Sequence, residues 1–130
     1  MRVIIIEDNT DHFDIIDDAF MSITEIDVEV VRADTLTKGK RLLLSENFDI
    51  CLCDLQLPDS TIIETVEWLS SQTNPLPMVT LTSLNSSDVA RNLLKKGIQD
   101  YLPKDSLTPA LLYKTCLYAI ERFRHQKIVA

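Results

Sequence analysis

Hydrophobic and polar positions divide the chain into two kinds of segment that alternate. Short apolar runs rich in β-branched residues, typical of strands covered on both faces, lie at residues 2–6, 28–31, 48–53, 78–81 and 98–102. In the segments after them, apolar residues recur every three or four positions, with charged residues between, which predicts amphipathic helices. These helical segments are residues 10–22, 36–46, 62–71, 86–96 and the stretch from 107 onward.

Polar residues, proline and glycine mark the expected helix ends. Asn9 and Thr35 are placed to cap the first and second helices, and Gly97 is placed to end the fourth. Pro109 suits the first turn of the last helix. The predicted buried stripe of that helix consists of Leu111, Leu112, Thr115, Cys116, Ala119, Ile120 and Phe123.

Five strand–helix units in succession predict an α/β fold. The expected architecture is a three-layer, doubly wound (βα)5 sandwich with a five-stranded parallel sheet, right-handed crossovers and the flavodoxin-like strand order 2-1-3-4-5. All 130 residues are accounted for by these units, without a repeat or linker, which predicts a single domain. In such sheets, ligands bind beyond the carboxyl ends of the strands.

Composition and charge exclude several classes of function. The formal net charge of −7 gives no electrostatic support for direct binding of nucleic acid. The apolar runs are too short to cross a membrane and no signal peptide is visible, so we expect a cytoplasmic protein. Cys51, Cys53 and Cys116 are expected to be core residues, because a C-x-C metal pair would need partners at zinc-like spacing.

Polar side chains follow four of the predicted strands. Glu7 and Asp8 end the first strand, Asp54 the third and Thr82 the fourth, and Lys104 comes after the fifth. Carboxylates brought ~4 Å apart at an effective dielectric of ~20 repel by about 4 kcal/mol per pair, so a cation is needed among them. Oxygen ligands favour Mg2+. Taken singly, each residue could instead be a helix cap, a loop acid or a solvated charge.

Four motifs carry a resemblance to a known family. They are Glu7-Asp8-Asn9, Asp54-Leu-Gln-Leu-Pro58, Leu81-Thr82-Ser83 and Tyr101-Leu-Pro-Lys104. In this order, at strand ends, they resemble the motif set of two-component response-regulator receiver domains, including the chemotaxis regulators. The resemblance covers essentially the whole chain.

The resemblance implies a role for each site residue. Asp54 would be the phosphoacceptor, and Asp8 and Asp54 would bind Mg2+ together with the backbone carbonyl of Gln56. Glu7 would assist, often through water. Thr82 and Lys104 would contact the phosphoryl group, and Tyr101 would be the aromatic switch residue whose ring turns inward as Thr82 moves. The residues that would tune hydrolysis are Gln56 and Leu84.

Partners are implied in the same way. A histidine kinase or phosphotransfer domain would donate the phosphoryl group, and the domain would catalyse its own phosphorylation and dephosphorylation. The face formed by the fourth helix, fifth strand and fifth helix would contact a downstream partner or form a homodimer. No output domain is visible, so we expect a stand-alone receiver or part of a longer protein, fused to a sensory, kinase or diguanylate cyclase domain.

Two departures from the family pattern keep an alternative open. Ile62 stands where the family often has glycine, and Asp105 follows Lys104 where many relatives have a cis proline. A degenerate receiver that binds proteins without phosphorylation is therefore the second hypothesis. A phosphohydrolase of the haloacid dehalogenase type is disfavoured because Gln56 stands where its second Asp is expected. His12 and His125 are expected to be exposed, with no role.

Overall fold

The computed structural model describes residues 1–71, 74–83, 87–98 and 100–129. Its strands are β1 (Arg2–Ile6), β2 (Glu29–Ala33), β3 (Ile50–Asp54), β4 (Met78–Thr82) and β5 (Tyr101–Pro103). Its α-helices are α1 (Thr10–Met21), α2 (Leu36–Ser45), α3 (Ile62–Leu69), α4 (Ser87–Lys95) and α5 (Pro109–Val129), and a 3-10 turn spans Lys104–Ser106. None of the helices in these ranges is both long and apolar enough to cross a membrane.

The five strands form one parallel sheet in the order β2-β1-β3-β4-β5, which confirms the predicted topology. Ile6 lies opposite Cys53, and Asp54 lies opposite Leu81. The residues that follow β1, β3 and β4 therefore emerge at one edge. Thr82 lies opposite Pro103, so the residue after β5 reaches the same edge.

Apolar side chains on the two faces of the sheet form two cores. One core joins Val3 and Ile5 of β1 to α1 and α5, through residues such as Phe20 and Leu112. The other joins the alternate residues of β1 to α2, α3 and α4. The central strands are buried on both faces, which explains their nearly continuous apolar sequence. Three layers are thus confirmed.

Some boundaries differ from the predicted ones. Strand β5 is Tyr101–Pro103 rather than 98–102, and Ile98 is buried in the second core without belonging to a strand. The stripe of α5 is buried at Leu112, Cys116 and Ala119, but Leu111 is 36% exposed, so its inclusion was wrong. Positions 112, 116 and 119 lie on one helix face, and position 111 is a further 100° around the helix.

Helix α2 is held at its start by a residue from the loop after β3. The Asp59 carboxylate accepts hydrogen bonds from the backbone N–H groups of Leu36 and Thr37, each at 2.9 Å, and from the Thr37 hydroxyl at 2.6 Å. The Thr37 hydroxyl and these backbone groups lower the pKa of Asp59 to about 2. These hydrogen bonds anchor the loop between β3 and α3 to the first turn of α2.

Candidate functional site

Three carboxylates lie together at the carboxyl edge of the sheet. One oxygen from each of Glu7, Asp8 and Asp54 lies within 4.8 Å of the others. The backbone N–H of Glu7 donates to the carbonyl of Ala33 at 2.9 Å, so the sheet still fixes this residue beyond the end of β1. Glu7 and Asp54 are buried, whereas Asp8 is exposed. Together they form an acidic cluster that reaches solvent at Asp8.

Lys104 supplies the positive charge at this edge. Its Nζ lies 2.8 Å from Glu7 Oε1 and 3.0 Å from Asp54 Oδ2, and its side chain is only 7% exposed. Burial lowers the pKa of the Lys104 ammonium, but hydrogen bonds to Glu7 and Asp54 outweigh it and raise the pKa above its ordinary value. The lysine therefore stays protonated and neutralises part of the carboxylate charge.

Glu7 carries the strongest sign that the cluster can hold a metal ion. Burial, followed by the neighbouring Asp54 carboxyl, raises the pKa of Glu7 to about 8, although Lys104 opposes the shift. Its Oε2 is buried and has no hydrogen-bond partner among the residues that the structure describes. A buried carboxylate oxygen without a partner is costly. Because the three side chains that could supply metal ligands are all carboxylates, a hard divalent cation fits the donor set.

His12 is the site residue that the sequence interpretation missed. Its Nδ1 lies 3.1 Å from Glu7 Oε1 and 3.1 Å from Lys104 Nζ, and its side chain is 38% exposed. His12 was expected to be exposed and was assigned no role, whereas the structure places it half-buried, in contact with two of the predicted site residues. Asn9 accepts a hydrogen bond from the His12 backbone N–H and caps α1, which places His12 in the first turn beside the sheet edge. His125 is exposed, as predicted.

Two more of the predicted residues, Gln56 and Thr82, line a cavity next to the acidic cluster. Asp54, Gln56 and Thr82 line this cavity, whose volume is about 500 Å3. Thr82 ends β4 and is buried, and Gln56 is exposed two residues beyond Asp54. Tyr101 begins β5 and is 37% exposed, so the structure does not bring its ring into the cluster.

Two predictions concern the surroundings of the site. Leu84, expected to tune hydrolysis, lies outside the described residues. The geometry of the bond between Lys104 and Asp105, which the sequence left open, is trans, since no peptide bond in the described ranges is cis.

Comparison with known proteins gives a consistent result. The chain matches the family model of the response regulator receiver domain over residues 3–115. It is 26% identical to the response regulator protein PilR of Pseudomonas aeruginosa over 103 residues, which cover 79% of this chain and 22% of PilR. It is 32% identical over 90 residues to the DNA-binding transcriptional regulator NtrC of Proteus hauseri, covering 67% of this chain and 18% of NtrC. The chain spans less than a quarter of either relative.

A solved structure shows the same fold. The receiver domain of the sensor histidine kinase PA1611 from Pseudomonas aeruginosa PAO1 matches with a TM-score of 0.73 at 22% sequence identity. The match covers 92% of this chain and 97% of the PA1611 chain. That protein was crystallised with a magnesium ion coordinated in its active site cleft.

Proposed function

Because this chain belongs to the response regulator receiver domain family, which acts in two-component signalling, we propose that it is a phosphorylation switch with Asp54 as the phosphoacceptor. The observation that carries the proposal is the contact of 3.0 Å between Asp54 Oδ2 and Lys104 Nζ inside the carboxylate cluster. A nucleophilic carboxylate is thereby held next to a fixed positive charge, at an edge where substrates of α/β proteins bind.

The reaction transfers a phosphoryl group from a phosphohistidine of a histidine kinase or phosphotransfer domain. An Asp54 carboxylate oxygen attacks the phosphorus as the bond between phosphorus and the imidazole nitrogen breaks. That nitrogen keeps the electron pair, and the ring, already protonated on its other nitrogen, leaves as neutral imidazole. Lys104 neutralises charge on the phosphoryl oxygens and the Thr82 hydroxyl donates a hydrogen bond to one of them. Hydrolysis of the resulting acyl phosphate, in the same site, resets the switch.

Mg2+ is the metal that we propose for the cluster. Glu7, Asp8, Asp54 and the backbone carbonyl of Gln56 would hold it, and the partnerless Glu7 Oε2 is the feature of this structure that such an ion would satisfy. When bound, the ion supplies positive charge that stabilises the transferred phosphoryl group. The residues of this chain hold the Asp54 carboxylate in place, with Lys104 beside it.

Phosphorylation would reach the surface through Thr82 and Tyr101. A phosphoryl group adds a charge of about −1.5 to −2 at Asp54, which draws the Thr82 hydroxyl toward it. The exposed Tyr101 ring would then turn inward and change the α4-β5-α5 surface. That surface would control a partner, a homodimer or a fused output domain.

The setting of this switch is also part of the proposal. We place this domain in the cytoplasm as the receiver unit of a regulatory protein, without direct nucleic-acid contact of its own, since its net charge is −7. DNA binding belongs to the far longer relatives, such as NtrC, that carry it in their name.

The test is incubation with acetyl phosphate and Mg2+, followed by intact mass spectrometry. The wild-type protein is expected to gain the mass of one phosphoryl group, and Asp54→Asn and samples with EDTA are expected to gain none. Absence of a gain in the wild type would instead favour the degenerate receiver that acts by protein contact alone.

A further inference from the structure

A groove between α3 and α4 extends from the phosphoacceptor to the surface. Its α3 wall is formed by Ile62, Ile63 and Val66 together with the acidic Glu67, and Leu93 lies on its α4 side. Asp54 and Thr82 lie at its inner end. With a volume of about 500 Å3, the groove is in the size range of ligand-binding clefts. The residues proposed for phosphoryl transfer lie only at the inner end of the groove. The apolar outer part of the groove has no role in that reaction.

The outer part of the groove presents apolar side chains to solvent. Ile62 is 44% exposed and Ile63 is 70% exposed, and both lie in the first turn of α3. Thr61 and Glu64 form a capping box that fixes the backbone of this turn, from which the two isoleucines project. Adjoining apolar side chains fixed at the mouth of an apolar cavity are typical of a surface that binds a partner.

The α4 rim of the same groove is positively charged. Lys95 and Lys96 line it, and neither ammonium group takes part in an ion pair with any described residue. That no described acid pairs with either lysine is notable in a chain whose net charge is −7. An occupant of the groove is therefore expected to combine apolar groups with negative charge.

We propose that the α3–α4 groove binds a segment of a partner protein in which two neighbouring apolar side chains are followed by acidic residues. The apolar side chains would pack between Val66 and Leu93, and the acids would pair with Lys95 and Lys96. A peptide fits better than a small amphiphile because the apolar surface continues over Ile63, beyond the mouth of the cavity. This docking surface pairs α4 with α3, so it shares one helix with the α4-β5-α5 surface but is otherwise formed by different elements.

The groove would also communicate with the phosphoacceptor. Since Asp54 and Thr82 form its inner end, a phosphoryl group on Asp54 would change the charge and shape that the peptide meets. If phosphorylation changes the peptide affinity by a given factor, linkage requires that bound peptide shift the phosphorylation equilibrium by the same factor and in the same direction. This coupling rests on the proposed function, whereas the binding itself does not.

The experiment selects short random peptides, displayed on phage, that bind the unphosphorylated wild-type protein and do not bind Ile63→Asp. Selected peptides are synthesised and their affinities measured by fluorescence polarisation. We expect them to contain paired apolar and acidic residues. Lys95→Glu combined with Lys96→Glu should weaken binding by about tenfold or more. Leu44→Asp is the matched control, because Leu44 is 90% exposed on α2, and it should leave affinity unchanged.

Three results would overturn the proposal: no peptide survives the counter-selection, Leu44→Asp weakens binding as much as Ile63→Asp does, or the lysine variant binds with wild-type affinity. Circular dichroism verifies that each variant is folded. If the peptide binds as expected but the protein never gains a phosphoryl group, the proposed function is contradicted. The proposal that the groove binds a peptide would still stand. Equal affinity for the phosphorylated and unphosphorylated protein would refute the coupling.

Discussion

Replacing Glu7 with glutamine removes one buried ionisable group and leaves the shape of the side chain nearly unchanged. Glu7 is fully buried, and its pKa is raised from 4.5 to about 8. Between these two values the native protein holds a proton that the unfolded chain has lost. The stabilisation linked to this proton is complete below pH 4.5 and is lost as the pH rises through about 8.

The size of the effect follows from the pKa. One proton held only by the native state changes the free energy of unfolding by about 1.4 kcal/mol per pH unit. Between ~pH 5 and ~pH 8, the free energy of unfolding of the wild type should fall by about 2–4 kcal/mol relative to that of Glu7→Gln, because the carboxyl groups outside the cluster contribute equally to both proteins. The lower value, about 2 kcal/mol, allows for the interaction of Glu7 with Asp54 and Lys104, whose electrostatic surroundings change when Glu7 is replaced.

Urea denaturation in EDTA across this pH range measures the difference. Glu25→Gln, at an exposed position, is the control and should follow the wild type at every pH. Added Mg2+ should reduce the pH dependence of the wild type, because it stabilises the ionised form of Glu7. If the wild type and Glu7→Gln show the same pH dependence without metal, Glu7 does not carry a raised pKa and the electrostatic argument fails.

Three further substitutions test the surroundings of the site. Asp59→Ala should lower the free energy of unfolding near neutral pH by about 1 kcal/mol, measured by urea denaturation. This loss should shrink as the pH falls from 3.8 toward about 2, where wild-type Asp59 becomes protonated. Gly39→Ala should destabilise by about 1–2 kcal/mol in thermal unfolding, because the added Cβ would lie 2.8 Å from Ile6 Cγ1. His12→Ala should slow phosphorylation by acetyl phosphate about two- to fivefold, since Lys104 loses one hydrogen-bond partner.

Each of these has a control within the chain. Asp59→Asn retains one acceptor oxygen and should lose less stability than the alanine variant. Ile6→Val should relieve part of the cost of Gly39→Ala, and additive costs would contradict the contact. An unchanged rate in His12→Ala would show that Glu7 and Asp54 hold Lys104 without it.

The fold and the acidic cluster follow from the sequence for a simple physical reason. Strands buried on both faces have unmistakable apolar runs, and parallel connections then bring their carboxyl ends to one edge. Once Ile6 lies opposite Cys53, Glu7 and Asp54 must be neighbours. Their proximity needed no knowledge of side-chain conformations, and neither did the position of Lys104 beyond β5.

Other features depend on side-chain directions that a sequence pattern does not contain. The contact between His12 and Lys104 joins residues 92 positions apart, through the rotamers of two long side chains. Leu111 differs from its buried neighbour Leu112 only by its angle around the helix, and the apolar pattern of α5 is compatible with either. Likewise, that Lys95 and Lys96 line an apolar groove became visible only once α3 and α4 were placed side by side.

The most direct test of the central claim is to locate the phosphoryl group. After treatment with acetyl phosphate, borohydride reduction converts an aspartyl phosphate to homoserine, which peptide mass spectrometry assigns to a residue. The proposed mechanism predicts homoserine at Asp54 in the presence of Mg2+ and none in EDTA. Homoserine at Asp8 or elsewhere, or equal labelling of Asp54→Asn, would contradict it.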